Sequence, residues 1–196
     1  MQTLPESAFA ARQGRRFTHH ATIGMALFVF AEVMLFSGFI SAFAIVQGSA
    51  MPGMWPPPGQ PRLPIERTAL NTLALLASGV SLFIGGRRFR RSGAPAAQPW
   101  MLAALGLGGA FVLLQGAEWV ALLRQGLTLT SSQLGSFFYV IIGTHGLHAL
   151  AAVFALGWAV AAMRARRLSP SALGAVEIFW YFVVLVWPLL YWKVYL

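Results

Sequence analysis

The sequence predicts an all-α polytopic membrane protein with five transmembrane helices, its N-terminus inside and its C-terminus outside. Three observations carry that expectation. Of 196 residues, 58% are hydrophobic and only 10% charged, with a mean hydropathy of +0.68, whereas soluble domains carry about 25% charged residues. Five stretches reach the roughly 20 apolar residues that a helix needs to cross a hydrocarbon layer about 30 Å thick. The basic residues alternate between successive connections. The chain contains no cysteine, which excludes iron–sulfur clusters, thiolate copper centres and cysteine-containing zinc sites.

Residues 1–20 read as an arm along the inner membrane surface, because the stretch to Phe17 shows no apolar periodicity. Residues 21–196 read as one five-helix unit. The first span, Ala21 to Val46, is too long for the apolar core of a signal peptide and contains Glu32. In the following connection, the run Met51-Pro52-Gly53-Met54-Trp55-Pro56-Pro57-Pro58-Gly59 cannot be helical. Each proline removes a donor and restricts its predecessor. The run reads as a stiff outer cap with Trp55 near the headgroups. The remaining spans run from Arg67 to Gly86, Trp100 to Leu123, Leu134 to Met163 and Ala172 to Val194.

The arginines sort by side. Arg12, Arg15 and Arg16 precede the first span, Arg87, Arg88, Arg90 and Arg91 follow the second, and Arg164, Arg166 and Arg167 follow the fourth. The opposite side carries only Arg62, Arg67, Arg124 and Lys193. Under the positive-inside rule this asymmetry sets the orientation. The net charge of +9 therefore encodes topology first and contact with anionic lipid second, not nucleic-acid binding.

Ionisable residues inside spans are costly and each calls for a partner or a function. Glu32, midway along the first span, reads as a hydrogen-bond anchor to another helix or subunit, or as a proton carrier. Gln115 and Glu118 are three residues apart on one helix face and form an interhelical hydrogen-bond station. His145 and His148, with Gly143 and Gly146 interleaved, also share a face. Metal or haem ligation and plain packing are both readings of that pair. His19 and His20, near the inner end of the first span, cannot easily converge with them. Asn71, Thr72 and Ser78 read as interhelical polar contacts, and Trp119 as a residue near the outer interface. Trp55, Asn71, Ser78 and Trp119 are the candidates for subunit or lipid contact. Glu177 is expected to pair with Arg164, Arg166 or Arg167, and Pro188 to kink the last helix. The aromatic series Phe179, Trp180, Tyr181, Phe182, Trp187, Tyr191, Trp192 and Tyr195 reads mostly as an interfacial belt. No nucleophile–base pair, phosphate loop or metal quartet is visible.

Several motifs resemble subunit III of haem–copper oxidases. They are Phe30-Ala31-Glu32-Val33-Met34-Leu35-Phe36-Ser37-Gly38-Phe39, Trp55-Pro56-Pro57-Pro58-Gly59, Leu70-Asn71-Thr72, Leu75-Leu76-Ala77-Ser78-Gly79-Val80-Ser81, Leu114-Gln115-Gly116-Ala117-Glu118-Trp119 and Gly135-Ser136-Phe137-Phe138-Tyr139 leading into Gly143-Thr144-His145-Gly146-Leu147-His148. They follow the family order from about Gly24 to the C-terminus. Longer members of the family have seven helices; this chain resembles a five-helix form that matches the last five. The resemblance implies a non-catalytic subunit of cytochrome c oxidase that packs against subunit I, alongside subunit II and other small subunits or a respiratory supercomplex. Such a subunit supports proton uptake and protects the complex during reduction of dioxygen to water. It implies no haem or copper on this chain, both being carried by partner subunits, and phospholipid in a cleft between helix groups. The Ala/Arg-rich composition and compact loops point to a bacterial inner membrane rather than an organelle.

Glu32 matches the family's intramembrane glutamate, and His145 and His148 its paired histidines. One departure stands out. Where the family's last helix reads W-H-F-V-D-x-V-W, this chain has Trp180-Tyr181-Phe182-Val183-Val184-Leu185-Val186-Trp187, so Tyr181 and Val184 replace two ionisable groups. A quinol oxidase or nitric oxide reductase is the alternative assembly. From other classes, a proton-coupled carrier using Glu32 and Glu118 and a haem protein using His145 and His148 are the competing readings.

Overall fold

A computed structural model describes residues 6–51, Trp55 and residues 63–195, with side chains described from Ala21 onward. Among the described residues there are five helices: α1 (Glu6–Gly48), α2 (Ile65–Ser92), α3 (Ala94–Arg124), α4 (Gln133–Arg164) and α5 (Pro170–Tyr195). All five are long and apolar enough to cross a membrane, α1 over Ala21–Gly48. The all-α, five-span expectation holds. Residues 6–20 continue the helix of the first span. Apart from Trp55, most of the proline-rich cap lies outside the described residues.

Helix ends follow local chemistry. The Ser132 hydroxyl accepts from Gly135 N–H at 3.0 Å and caps α4. The Ser169 hydroxyl accepts from Ala172 N–H at the start of α5. The chain between α2 and α3 departs from expectation. The spans leave a polar connection there, yet both helices run on until one residue, Gly93, separates them. The arginines do not end α2, because their long side chains can bend back onto aromatic rings. The Arg87 guanidinium lies 5.5 Å from the Phe83 ring centre, and that of Arg88 5.4 Å from Trp100. Gly93 has φ 81° and ψ −175°, a region open essentially to glycine alone. Gly93→Ala is therefore expected to destabilise the protein by about 1–3 kcal/mol. The thermal midpoint in mild detergent reads this, and an unchanged midpoint would show that the turn relaxes freely.

Helix α5 is central. It packs along α1, α4 and α2, while α3 packs along α2 and α4. Among the described residues no Cα of α5 comes within 8 Å of one in α3. Large side chains fill that gap. Trp180 lies so close to Gly108 that a Cβ there would collide with the indole, and the Trp187 and Phe111 rings meet edge to face at 4.9 Å. This corrects the aromatic-belt expectation. Phe179, Trp180, Phe182, Trp187 and Tyr195 are buried, and of the eight aromatics only Trp192 is strongly exposed, at 59%. The reason is geometric: only rings bridge a helix separation this wide, and in a bilayer close packing, not water exclusion, holds helices together.

Candidate functional site

The centre of the molecule holds a carboxyl–imidazole contact between α1 and α4. Glu32 Oε2 lies 3.1 Å from His148 Nε2, with both side chains largely buried. His148 Nδ1 lies 2.8 Å from the Thr144 carbonyl oxygen, one helical turn back. A carbonyl only accepts, so Nδ1 carries hydrogen. In a neutral imidazole Nε2 then offers a lone pair. A hydrogen bond at that atom needs either a protonated Glu32 carboxyl or a second N–H on His148. The two groups meet at 3.1 Å without hydrogen-bond alignment, and Glu32 Oε2 has no hydrogen-bond partner among the described residues. Aromatic rings enclose the pair. Phe36, one turn beyond Glu32, meets His148 edge-on at 5.6 Å, and Phe179 and Phe182 of α5 approach at 6.2 and 5.9 Å.

His145 lies on the same helix but serves different neighbours. Its ring lies at a 31° tilt to that of Trp187, with centroids 5.0 Å apart, and Phe36 and Phe111 stand edge-on to it. The residue is 1% exposed, and neither ring nitrogen has a hydrogen-bond partner among the described residues. The shared face expected from the spacing thus resolves into one histidine in contact with α1 and one packed into the core. Among the described residues no three of His, Asp or Glu group closely enough to hold a metal ion.

A second polar cluster joins α2, α3 and α5. Gln115 Nε2 donates to Glu118 Oε2 at 3.2 Å and to the Tyr195 hydroxyl at 3.0 Å. Asn71 Nδ2 donates to Gln115 Oε1 at 3.3 Å and to the Phe111 carbonyl at 3.2 Å. The Thr68 hydroxyl lies 2.9 Å from Glu118 Oε2 and 2.8 Å from the Pro64 carbonyl. Trp187 Nε1 donates to Thr72 Oγ1 at 2.8 Å, and Trp180 Nε1 to Ser78 Oγ at 3.3 Å. Asn71, Thr72, Ser78, Gln115 and Glu118 therefore make hydrogen bonds between helices of this chain, and Asn71 and Ser78, also read as candidates for subunit or lipid contact, are buried inside it because those bonds turn them inward. Thr68, Trp180, Trp187 and Tyr195 were not singled out as their partners. A signal existed: Trp180 and Trp187 are seven residues apart on one helix face, and a buried indole N–H needs an acceptor. Trp187→Phe removes one such donor and is expected to lower stability by about 1 kcal/mol, within the range of interhelical hydrogen bonds in membranes. Unfolding in a graded series of denaturing detergent measures it; equal stability would make the indole N–H dispensable.

The remaining candidates are placed as follows. Trp119 packs on α4 at Gly146, where a Cβ would collide with its ring. Trp55 is half-buried, its ring 5.7 Å from that of Phe43 on α1. Helix α5 runs through Pro188 without a break. Glu177 requires correction: it pairs not with the arginines after α4 but with Arg90 of α2, Nη1 to Oε2 at 2.8 Å. Glu177 belongs to a helix that packs along α2, and Gly86 leaves the carboxylate its space, since a Cβ there would overlap Oε1.

Comparison with known proteins agrees with this architecture. The family model described as cytochrome c oxidase subunit III matches residues 2–196. Cytochrome c oxidase subunit 3 of Equus caballus is 32% identical over 191 residues, covering 90% of this chain and 72% of its own length. That of Ovis aries is 32% identical over 205 residues, covering 98% and 75%. The probable cytochrome c oxidase subunit 3 of Mycobacterium leprae is 30% identical over 177 residues, covering 89% and 86%.

Proposed function

The chain belongs to the cytochrome c oxidase subunit III family, and on that premise we propose that it is the non-catalytic subunit III of a haem–copper terminal oxidase. In this reading it packs against subunit I, with subunit II in the same complex, and sustains proton uptake while the complex reduces dioxygen to water and translocates protons. The observation that carries the proton role is the Glu32–His148 contact. It sets a carboxyl group against an imidazole within the membrane-spanning bundle, beside the Phe36 ring. A carboxyl–imidazole pair can accept a proton on one group and release it from the other with little rearrangement, which suits a local reserve beside an uptake route.

Haem and copper belong to the partner subunits in this reading, where they supply the oxygen chemistry. A bound phospholipid is proposed for a cleft of about 440 Å³ between α2 and α3, where Arg67 and Glu118 stand beside an apolar wall of Leu70, Ala74, Leu114 and Ala121. The arginine asymmetry supports an N-terminus inside and a C-terminus outside in a bacterial inner membrane.

Purification of the tagged chain from its native membrane in mild detergent tests the assignment. Haem bands in the redox difference spectrum, with a large haem–copper subunit co-purifying, are the expected result. A copper-bearing subunit II identifies cytochrome c as electron donor, whereas a haem–copper subunit without it identifies a quinol oxidase or nitric oxide reductase. A haem-free chain recovered alone would overturn the oxidase role.

A further inference from the structure

Arg67 and Glu118 line the cleft between α2 and α3 and are, among the described residues, its only charged side chains. Neither belongs to an ion pair among those residues, where the contacts of that kind are Arg90 with Glu177 and His148 with Glu32. Arg67 is exposed and Glu118 half-buried. Glu118 Oε2 is held by the Thr68 hydroxyl at 2.9 Å and the Gln115 amide at 3.2 Å. Oε1 takes part in neither bond and is not among the enclosed, unpartnered atoms of the core. Arg67 sits in the first turn of α2 and Glu118 within two turns of the end of α3, so both charges lie at the headgroup end of their spans. Ala74 lies two turns further along α2, about 10 Å deeper, and Leu114 one turn below Glu118. The wall is open to the bilayer, with Leu70 71% and Leu114 54% exposed.

This gradient orients an amphiphile, its head beside Arg67 and Glu118 and its chain along Ala74 and Leu114. The two charges then define the head. A purely anionic headgroup would satisfy Arg67 and leave the Glu118 carboxylate unmatched beside a phosphate. An uncharged hydroxyl headgroup would leave both side chains unmatched. A zwitterion matches both: its phosphate takes the guanidinium in a two-pronged, charge-assisted bond, and its cation meets the carboxylate. A primary ammonium brings three N–H donors to Oε1, whereas a trimethylammonium brings none. The cleft volume of about 440 Å³ lies within the roughly 300–1,000 Å³ typical of ligand pockets.

We propose that the α2–α3 cleft selects a phospholipid whose headgroup carries a primary ammonium, with the phosphate on Arg67 and the ammonium on the Glu118 carboxylate. This selectivity rests on the reading of the cleft as a phospholipid site and adds the chemistry of the head.

The test is native mass spectrometry of the full chain in mild detergent, titrated with dioleoyl-phosphatidylethanolamine and, separately, with dioleoyl-phosphatidylcholine. The two lipids share chains, phosphate and zero net charge, so the arginines at the other end of the bundle treat them alike. The ethanolamine lipid is expected to bind saturably and about five-fold more tightly, the worth of an interfacial ion pair. Glu118→Gln can still accept from Gln115 but carries no charge, and it should bring the ethanolamine lipid down to the affinity of the choline lipid. Arg67→Gln should weaken both lipids alike. Should Glu118→Gln fail to fold, the comparison of the two lipids on the parent chain remains decisive. Equal affinity of the parent for both lipids, an intact ethanolamine preference in a folded Glu118→Gln protein, or undiminished binding to Arg67→Gln would each overturn the headgroup assignment while leaving a phospholipid site in place. No saturable binding of either lipid would overturn the phospholipid reading and the assignment with it.

Discussion

Arg90→Leu is expected to destabilise the protein by about 2–3 kcal/mol, somewhat below the ~3–5 kcal/mol for breaking a fully buried pair. The discount follows from asymmetry: the Arg90 side chain is 43% exposed and that of Glu177 8%. Loss of the guanidinium strands the carboxylate, since Glu177 Oε2 is held by Arg90 and Oε1 has no hydrogen-bond partner among the described residues. The double variant Arg90→Leu with Glu177→Leu is expected to recover much of that loss, because an uncompensated buried charge costs more than a missing pair. Thermal midpoints of the two single variants and the double variant in one detergent complete the cycle. A change below about 0.5 kcal/mol for Arg90→Leu, the size of an exposed pair, would mean that solvent screens the contact fully.

The second large effect concerns Glu32. In the oxidase, Glu32→Ala is expected to leave the initial turnover near the parental rate and to shorten the active lifetime under continuous turnover several-fold. Glu32→Gln separates two roles. A carboxamide N–H can still donate to His148 Nε2, so anchoring of α1 to α4 persists, but it cannot give up and regain a proton at that atom. If the proton matters, Glu32→Gln loses lifetime like Glu32→Ala while keeping the thermal midpoint. If only the anchor matters, Glu32→Gln behaves as the parent in both measurements. Oxygen consumption followed to exhaustion, beside a melting curve, decides between them.

Position Tyr181–Val184 shows how a departure in a motif acquires physical meaning. The Gly79 Cα, with no side chain of its own, faces Val184, and a Cβ there would lie 3.1 Å from Val184 Cγ1. An apolar valine therefore sits where α5 meets α2 closely. The family's aspartate would place a carboxylate in that tight apolar contact, so the loss of charge at 184 and the packing at Gly79 are two aspects of one local arrangement.

The sequence by itself determined the membrane class, the number of spans and the interhelical use of Asn71, Thr72, Ser78, Gln115 and Glu118. These are legible because hydrocarbon imposes a length on every span and leaves few sites where a polar side chain can be placed. The pairing of Gln115 with Glu118 was likewise readable, since residues three apart share a helix face. Only the tertiary structure decided that Glu32 meets His148 and not His145, that Glu177 meets Arg90, and that Trp180, Trp187 and Tyr195 turn inward. Those outcomes depend on which helices are neighbours and how far apart they stand. An apolar helix surface is compatible with lipid on every side, so one-dimensional pattern cannot tell a lipid-facing ring from one that bridges α5 to α3. Packing distance makes that distinction.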